Sequence, residues 1–220
     1  MPLKLPETLP RYDAATFIRA DANAAAWRAG TAWLNAHESV MTVCGPAGAG
    51  KTHFVQALCE GRSIAVITDR DFEQSGTEPG VGLIFIDDLP VTRPEVFLTA
   101  LESGIEAGRR FILAGEGHPS SWSRGLKDLR TRIEAAPRAT LSDPDEALIR
   151  LVIAKGFRDR QVEVNSAVID YAVPRLTRTF AAARRFVALA DKAALEEKRK
   201  ITTPLVQKVL DNLSEGDPAA

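Results

Sequence analysis

Residues 45–52 are the segment most clearly equipped for chemistry. They read Gly-Pro-Ala-Gly-Ala-Gly-Lys-Thr and fit the pattern G-x-x-x-x-G-K-[ST] in full. Glycines let such a loop curl so that its N–H groups point at phosphate oxygens, while the lysine reaches the β- and γ-phosphates and the threonine hydroxyl meets Mg²⁺. The segment therefore predicts a binding site for ATP or ADP with Mg²⁺. Its positions are Gly45, Pro46, Ala47, Gly48, Ala49, Gly50, Lys51 and Thr52.

A second pattern places two acids at the end of an apolar strand. Leu83–Ile86 is followed by Asp87 and Asp88, with Asp87 lying 36 residues after Lys51 (87 − 51). A carboxylate at the end of a strand beside a phosphate-binding loop is placed to hold Mg²⁺. We therefore expect Asp87 to serve as a metal residue and Asp88 to be the acid that orients the attacking water.

Two more places carry polar groups with alternative interpretations. Glu116 follows the apolar strand Arg110–Ala114 closely, so it either contacts the γ-phosphate or water, or is a solvated loop acid. Arg130 and Arg132 lie on a short helical segment, Leu126–Ile133. They are either a solvated face or include an arginine that stabilises charge on a transferring phosphoryl group. Spacing alone does not separate Arg130 from Arg132.

Short apolar runs alternate with helical periods over the first two thirds of the chain, which predicts an α/β domain with a mostly parallel sheet and helices on both faces. After Asp143 only helical periods follow, which predicts an all-α subdomain. The predicted strands are Ser39–Cys44, Ser63–Thr68, Leu83–Ile86, Arg110–Ala114 and Ala139–Leu141. The predicted helices are Asp21–Leu34, one starting near Lys51, Glu95–Ala107, Leu126–Ile133, Pro144–Gly156, Asn165–Leu176, Thr179–Lys198 and Thr203–Leu213.

Composition excludes several classes of protein. The net charge of −1 provides no global positive field for holding DNA non-specifically. The two cysteines predict reduced thiols rather than a disulfide framework or metal cluster. No apolar run reaches the roughly 18 residues of a membrane span, and the first residues lack a signal-peptide core. We therefore expect a cytoplasmic protein without membrane contact.

Taken together, these segments resemble the AAA+ core of the DnaA family of replication initiators, and within it the truncated Hda-type regulators. The resemblance is carried by CGPAGAGKTH, LIFIDDL, ILAGEGHP, LKDLRTRIEA and SDPDEALIRLVIAKGF. It implies a three-layer P-loop AAA+ domain with a five-stranded parallel sheet at residues 15–142. A helical lid at 143–220 and an extended tail at 1–14 complete the expected organisation. Since the chain ends just after the lid, we expect neither a helix-turn-helix domain nor sequence-specific DNA binding.

The resemblance also implies roles for single residues around the nucleotide. Glu116 falls at the sensor 1 position. Phe17 and Ile18 resemble the segment that packs on adenine. His53 directly follows the loop and has two interpretations, a nucleotide-binding residue or a structural or surface residue. The sensor 2 position falls on Ala181. Arg178, one turn earlier, is then the candidate for sensor 2.

The resemblance also separates Arg130 from Arg132, because the arginine finger, which acts on ATP bound to a neighbouring subunit, has a motif of its own. In this family it is the last arginine of D-L-x-[ST]-R, which is Arg132, acting in trans on ATP held by DnaA. With Asp88 in place of the commoner glutamate and Ala181 at sensor 2, slow intrinsic hydrolysis is expected.

The partners implied are DnaA and the DNA polymerase sliding clamp, the latter through residues Pro2 to Pro6. Pro2–Pro6 matches the second half of a Gln-x-Pro-Leu-x-Leu-Pro clamp-binding peptide, without its glutamine. Two alternatives remain open. One is an autonomous DNA-stimulated ATPase of the helicase-loader or transposition-helper kind. The other is a nucleotide-gated module that forms homo-oligomers.

Overall fold

The protein is described by a computed structural model in which residues 17–68, 72 and 82–215 are placed. Five parallel strands form one sheet in the order β2-β3-β4-β1-β5. The expected five-stranded parallel sheet is confirmed. The strands are β1 Val40–Cys44, β2 Ile64–Thr68, β3 Leu83–Leu89, β4 Arg110–Gly115 and β5 Arg138–Thr140.

The helices of the described residues follow the predicted pattern closely. They are α1 Asp21–Leu34, α2 Lys51–Leu58, α3 Pro94–Glu106, α4 Lys127–Ala135, α5 Glu146–Asp159, α6 Ser166–Ala172, α7 Phe180–Glu196 and α8 Thr203–Glu215. Short 3₁₀ turns lie at Pro119–Ser121 and Val173–Arg175. None of the helices in these ranges has the length and apolar character that crossing a membrane requires.

The central strands are buried on both faces, as their β-branched apolar sequences predict. All five residues of β1 are buried, and successive side chains of a strand point to opposite faces. On one face, α3 and α4 share a core with the sheet through Phe97 and Ile133. On the other face, Met41 and Phe85 are fully buried and α2 packs against β4. Helices therefore cover both faces of the sheet, as in other parallel sheets.

Two of the differences from the predicted bounds coincide with a local irregularity of the backbone. Strand β3 runs on to Leu89 instead of ending at Ile86, with an irregular register against β4 between those two residues. The predicted helix Asn165–Leu176 ends at Ala172 and gives way to a 3₁₀ turn. Pro174 explains the second difference, because it has no N–H to continue the α-helical hydrogen bonds.

The helices after residue 142 have a core of their own. Ile153, Phe157, Phe186 and Val206 are buried there, in α5, α7 and α8. Side chains cap three of these helices at their N-termini, as in Asp145, whose carboxylate accepts from the Leu148 N–H at 2.7 Å. The caps are Asp145, Asn165 and Thr179.

Helices α5 and α7 end in the same way. The Val162 N–H donates to the Phe157 carbonyl at 2.9 Å, and the Arg199 N–H donates to the Ala194 carbonyl at 3.1 Å. These bonds are the Schellman pattern, in which the preceding residue is left-handed and is most often glycine. Here those residues are Gln161 and Lys198, at φ 61° and 49°.

Contacts divide the described chain into two compact units. Residues 17–19, 23–45 and the described part of 50–141 form one, and residues 20–22, 46–49 and 142–215 form the other. The expected tail at 1–14, with Pro2–Pro6, lies outside the described residues.

Candidate functional site

The sheet order brings the ends of three strands together. Strand β4 lies between β1 and β3, and Gly115 at its end is paired with Cys44 of β1 and with Leu89 of β3. Because all three strands are parallel, the residues that follow β1 and β4 share one sheet edge with the end of β3. Glu116 thus follows the strand between the phosphate-loop strand and the strand of Asp87.

The two outer glycines of the loop have different physical reasons to be glycine. A side chain at Gly45 would collide with the carbonyl group of Leu141, whose N–H donates to the Cys44 carbonyl at 2.8 Å. Gly50 has φ 84°, a left-handed conformation that glycine adopts without strain, and directly precedes α2. Gly45 therefore allows close packing beside β5, and Gly50 allows the turn into the helix.

The middle of the loop makes a tight turn of its own. The Ala49 N–H donates to the Pro46 carbonyl at 3.2 Å, and Gly48 has φ 73°. Ala47 is exposed, whereas Ala49 is buried.

The first turn of α2 carries the side chains expected to meet phosphate and metal. The Lys51 ammonium donates to the Gly45 carbonyl at 2.9 Å, which ties the two ends of the loop together. The Thr52 hydroxyl donates to Asp87 Oδ2 at 2.6 Å, a length typical of a hydroxyl bonded to a carboxylate. The fold thus brings Thr52 and Asp87 together from positions 35 residues apart.

Hydroxyl and carboxylate oxygens are the ligands that Mg²⁺ accepts, usually while it keeps several waters and binds phosphate. The pair of Thr52 and Asp87 fits this requirement, because it offers one oxygen of each kind at the start of α2. Helix α2 begins directly after the loop, so its N-terminal N–H groups and the positive end of its dipole lie beside the loop.

Asp88 sits at an irregular point of β3. It has φ 62°, its side chain is exposed, and its N–H donates to Asp87 Oδ1 at 3.0 Å. Aspartate tolerates the left-handed conformation better than most residues. The irregularity changes the direction of the strand where the two acids lie, as bulges next to functional sites do. Because the Thr52 hydroxyl donates to Oδ2 and the Asp88 N–H to Oδ1, both oxygens of the Asp87 carboxylate accept hydrogen bonds.

Glu116 has an exposed side chain just beyond β4. Its carbonyl accepts from the indole N–H of Trp122 at 2.6 Å, and Trp122 is fully buried. The backbone of Glu116 is thereby anchored, while its carboxylate stays in solvent.

Phe17 joins an aromatic cluster with α1 and α2. Its ring stacks on Trp27 with centroids 5.4 Å apart, and it meets His53 edge-on at 5.2 Å and Phe54 at 6.0 Å. The carbonyl of Ile18 accepts from the side-chain amide of Asn23 at 2.9 Å. The fold thus places Phe17 against the helix that begins with Lys51.

The two candidate arginines of α4 differ in environment. The Arg132 Nη2 atom donates to Glu102 Oε1 of α3 at 2.7 Å, and 39% of its side chain is exposed. Arg130 is exposed, and among the described residues it has no ion-pair partner. The structure therefore separates two residues that spacing could not.

Arg178 lies just before the cap of α7. Its Nη2 atom donates to Glu146 Oε1 of α5 at 2.7 Å, and 65% of its side chain is exposed. Ala181 is exposed in the first turn of α7. Arg178 is thus engaged with Glu146 within the helical unit.

Sequence reasoning missed Glu102, the hydrogen bond from Trp122 to the Glu116 carbonyl, and Trp27 and Phe54 as partners of Phe17. Glu102 is one of several acids on an amphipathic helix, and its pairing with Arg132 spans 30 residues, so no local pattern marks it. Trp122 carried a signal, since a buried tryptophan usually finds a partner for its N–H.

A family model described as the lid domain of Hda matches residues 146–210. Domain III of the replication initiation protein DnaA from Thermotoga maritima is similar in structure, with a TM-score of 0.77 at 16% sequence identity. That match covers 96% of this chain and 98% of the other.

Two further solved structures share this fold. A replication initiator DnaA bound to AMPPCP and single-stranded DNA matches with a TM-score of 0.69 at 19% identity, covering 86% of this chain and 69% of that one. The Holliday junction branch migration motor RuvB of Thermotoga maritima matches with a TM-score of 0.67 at 20% identity, covering 86% and 66%. The AAA+ fold with a helical lid, expected from the motifs, is thereby confirmed.

Proposed function

We propose that this chain, which is a DnaA/Hda-like AAA+ protein, binds ATP or ADP with Mg²⁺ and promotes hydrolysis of the ATP held by a DnaA partner. It would do so while tethered to the sliding clamp, and would thereby prevent over-initiation of chromosome replication. The match of residues 146–210 to the Hda lid family supports this assignment.

The nucleotide-binding part of the proposal is supported by the hydrogen bond between Thr52 and Asp87. The loop would bind phosphate through its N–H groups and through Lys51, and the Phe17 segment would pack on the base. Mg²⁺, held by Thr52 and Asp87, would supply charge neutralisation of the β- and γ-phosphates. Lys51→Ala should then lose most of the affinity for nucleotide, and calorimetric titration with ADP measures it.

The observation that carries the proposed activity is the position of Arg132. Its guanidinium is held at one corner by Glu102 and remains partly exposed on α4, so donors are left for a partner. A guanidinium is always charged and presents five donors in a planar fork, which suits stabilisation of charge on a transferring phosphoryl group. Arg132 would therefore act on the partner's ATP.

Weak hydrolysis by the chain itself fits the same proposal. The side chain of Asp88 is one methylene shorter than the usual glutamate and would reach the attacking water less well. Arg178, the candidate for sensor 2, is paired with Glu146. Nucleotide bound to this chain would then mainly hold its shape. The clamp tether is proposed from Pro2–Pro6 alone, and deletion of residues 1–7 should abolish clamp binding in a pull-down assay.

The central test measures ATP hydrolysis by a DnaA protein while this chain, clamp and DNA are added in turn. We expect hydrolysis to rise only with all components present, and Arg132→Ala to remove the rise. Arg130→Ala is the matched control on the same helix and should keep it. If instead the chain alone hydrolyses ATP when DNA is added, the DNA-stimulated ATPase is the correct alternative.

A further inference from the structure

The ion pair between Glu102 and Arg132 joins two helices that are distant in sequence. Arg132 Nη2 donates to Glu102 Oε1 at 2.7 Å, and the two side chains are 39% and 45% exposed. Each residue is next to a fully buried apolar residue, Leu101 on α3 and Ile133 on α4. The backbone of both partners is therefore anchored in the core under the sheet, and the pair lies where that core reaches solvent.

The hydrogen bond to Glu102 is made by one nitrogen of the Arg132 guanidinium. An arginine has five N–H donors, and the described bond to Glu102 uses one nitrogen, Nη2. Fixing this nitrogen restricts a side chain that otherwise carries large rotamer freedom, while other donors remain for an oxyanion. A single charged contact can in this way orient an arginine for a further ligand.

We propose that Glu102 is a positioning residue for Arg132, which orients the guanidinium toward the phosphates of a partner's ATP. This inference rests on the proposed function, and it assigns to Glu102 no contact with the nucleotide. Arg130, two residues away and exposed, has no such carboxylate among the described residues. The pairing with Glu102 is therefore what distinguishes the orientation of Arg132 from that of an ordinary surface arginine.

The expected effect is set by the exposure of the pair. Exposed ion pairs contribute at most about 1 kcal/mol, which corresponds to a change in rate of about fivefold. Glu102→Ala should therefore lower the maximal stimulated rate of ATP hydrolysis by about fivefold or less, far less than loss of the arginine itself. Glu102→Gln should give a smaller loss, because its amide oxygen still accepts a hydrogen bond but carries no charge.

The experiment measures stimulated hydrolysis of DnaA-bound ATP at increasing concentrations of each variant. Glu102→Ala should lower the maximal rate and leave the concentration for half-maximal stimulation unchanged. Glu106→Ala is the matched control, an exposed glutamate one turn later on α3 without an ion-pair partner among the described residues.

A second measurement does not depend on activity. Rotation of the Arg132 guanidinium about its Nε–Cζ bond, followed by arginine-selective NMR, should be slower in the unmodified chain than in Glu102→Gln. Equal rotation in both would overturn the inference.

The outcomes separate this inference from the function on which it rests. If Arg132→Ala removes stimulation but Glu102→Ala does not lower it, or raises it, Glu102 does not position the arginine. If the unmodified chain gives no stimulation, the proposed function fails and the role of Glu102 fails with it.

Discussion

Replacing Thr52 with valine tests the metal site directly. Valine keeps the shape of threonine but removes the hydroxyl that donates to Asp87 at 2.6 Å. Hydrogen bonds to charged groups contribute about 1.5–3 kcal/mol, and since both side chains are partly exposed we expect a value near or below the lower end of that range, about 1–2 kcal/mol. In a chain of this size each kcal/mol shifts the melting temperature by about 2–4 °C. Thr52→Val without ligand should therefore melt about 2–8 °C lower than the unmodified chain.

The assay compares melting temperatures without ligand, with ADP and EDTA, and with ADP and Mg²⁺. A ligand that binds only the folded state stabilises it according to its concentration relative to Kd. In the unmodified chain, Mg²⁺ should add to the stabilisation given by ADP. In Thr52→Val that increment should largely disappear, while the stabilisation by ADP in EDTA remains. Thr99→Val is the control, because the Thr99 hydroxyl donates to the Glu95 carbonyl within its own helix.

Two results would refute this reasoning. If Mg²⁺ stabilises Thr52→Val as much as the unmodified chain, the hydroxyl is not a metal ligand. If the effects of Thr52→Val and Asp87→Asn without ligand are additive, the two side chains are not coupled and the hydrogen bond contributes nothing measurable.

Three further predictions concern the stability and reactivity of the fold. Gly45→Ala should destabilise by about 1–3 kcal/mol in urea unfolding, because its Cβ would meet the Leu141 carbonyl; a change within about 0.5 kcal/mol would show that the backbone adjusts. Gln161→Gly and Lys198→Gly should each raise stability by about 0.5–1 kcal/mol, since both residues are left-handed at helix ends; lower melting temperatures would contradict this. Burial raises the pKa of the Cys59 thiol from 9.0 to about 11. The stability that the neutral, buried thiol contributes should be fully present below pH 9 and lost as the pH rises through 11. Iodoacetamide at pH 8 should label Cys59 only after unfolding.

Local patterns were sufficient for most elements of the fold. Helix α1 has the bounds that its periodicity predicted, and β1, β2 and β4 begin or end within one residue of the predicted strands. Alternation of strands and helices predicted a parallel sheet because parallel strands need crossover connections, which are usually helices. Differences arose where one residue changes local geometry. Pro174 ends α6 earlier, and the irregular register at Asp88 extends β3 beyond the apolar run.

For the candidate site, the sequence by itself determined which residues could bind phosphate, because the requirements of that chemistry fall on consecutive residues. The loop 45–52 needs glycine, lysine and threonine at fixed spacing, and one turn and one helix start supply them. Nothing in that spacing required knowledge of the sheet order.

Tertiary structure alone decided which distant side chains meet. The order β3-β4-β1 brings Asp87 to Thr52, and the packing of α3 beside α4 brings Glu102 to Arg132. The collision that makes Gly45 necessary also comes from a residue far along the chain, Leu141. Such contacts depend on which elements become neighbours, and burial of apolar faces rather than local spacing decides that.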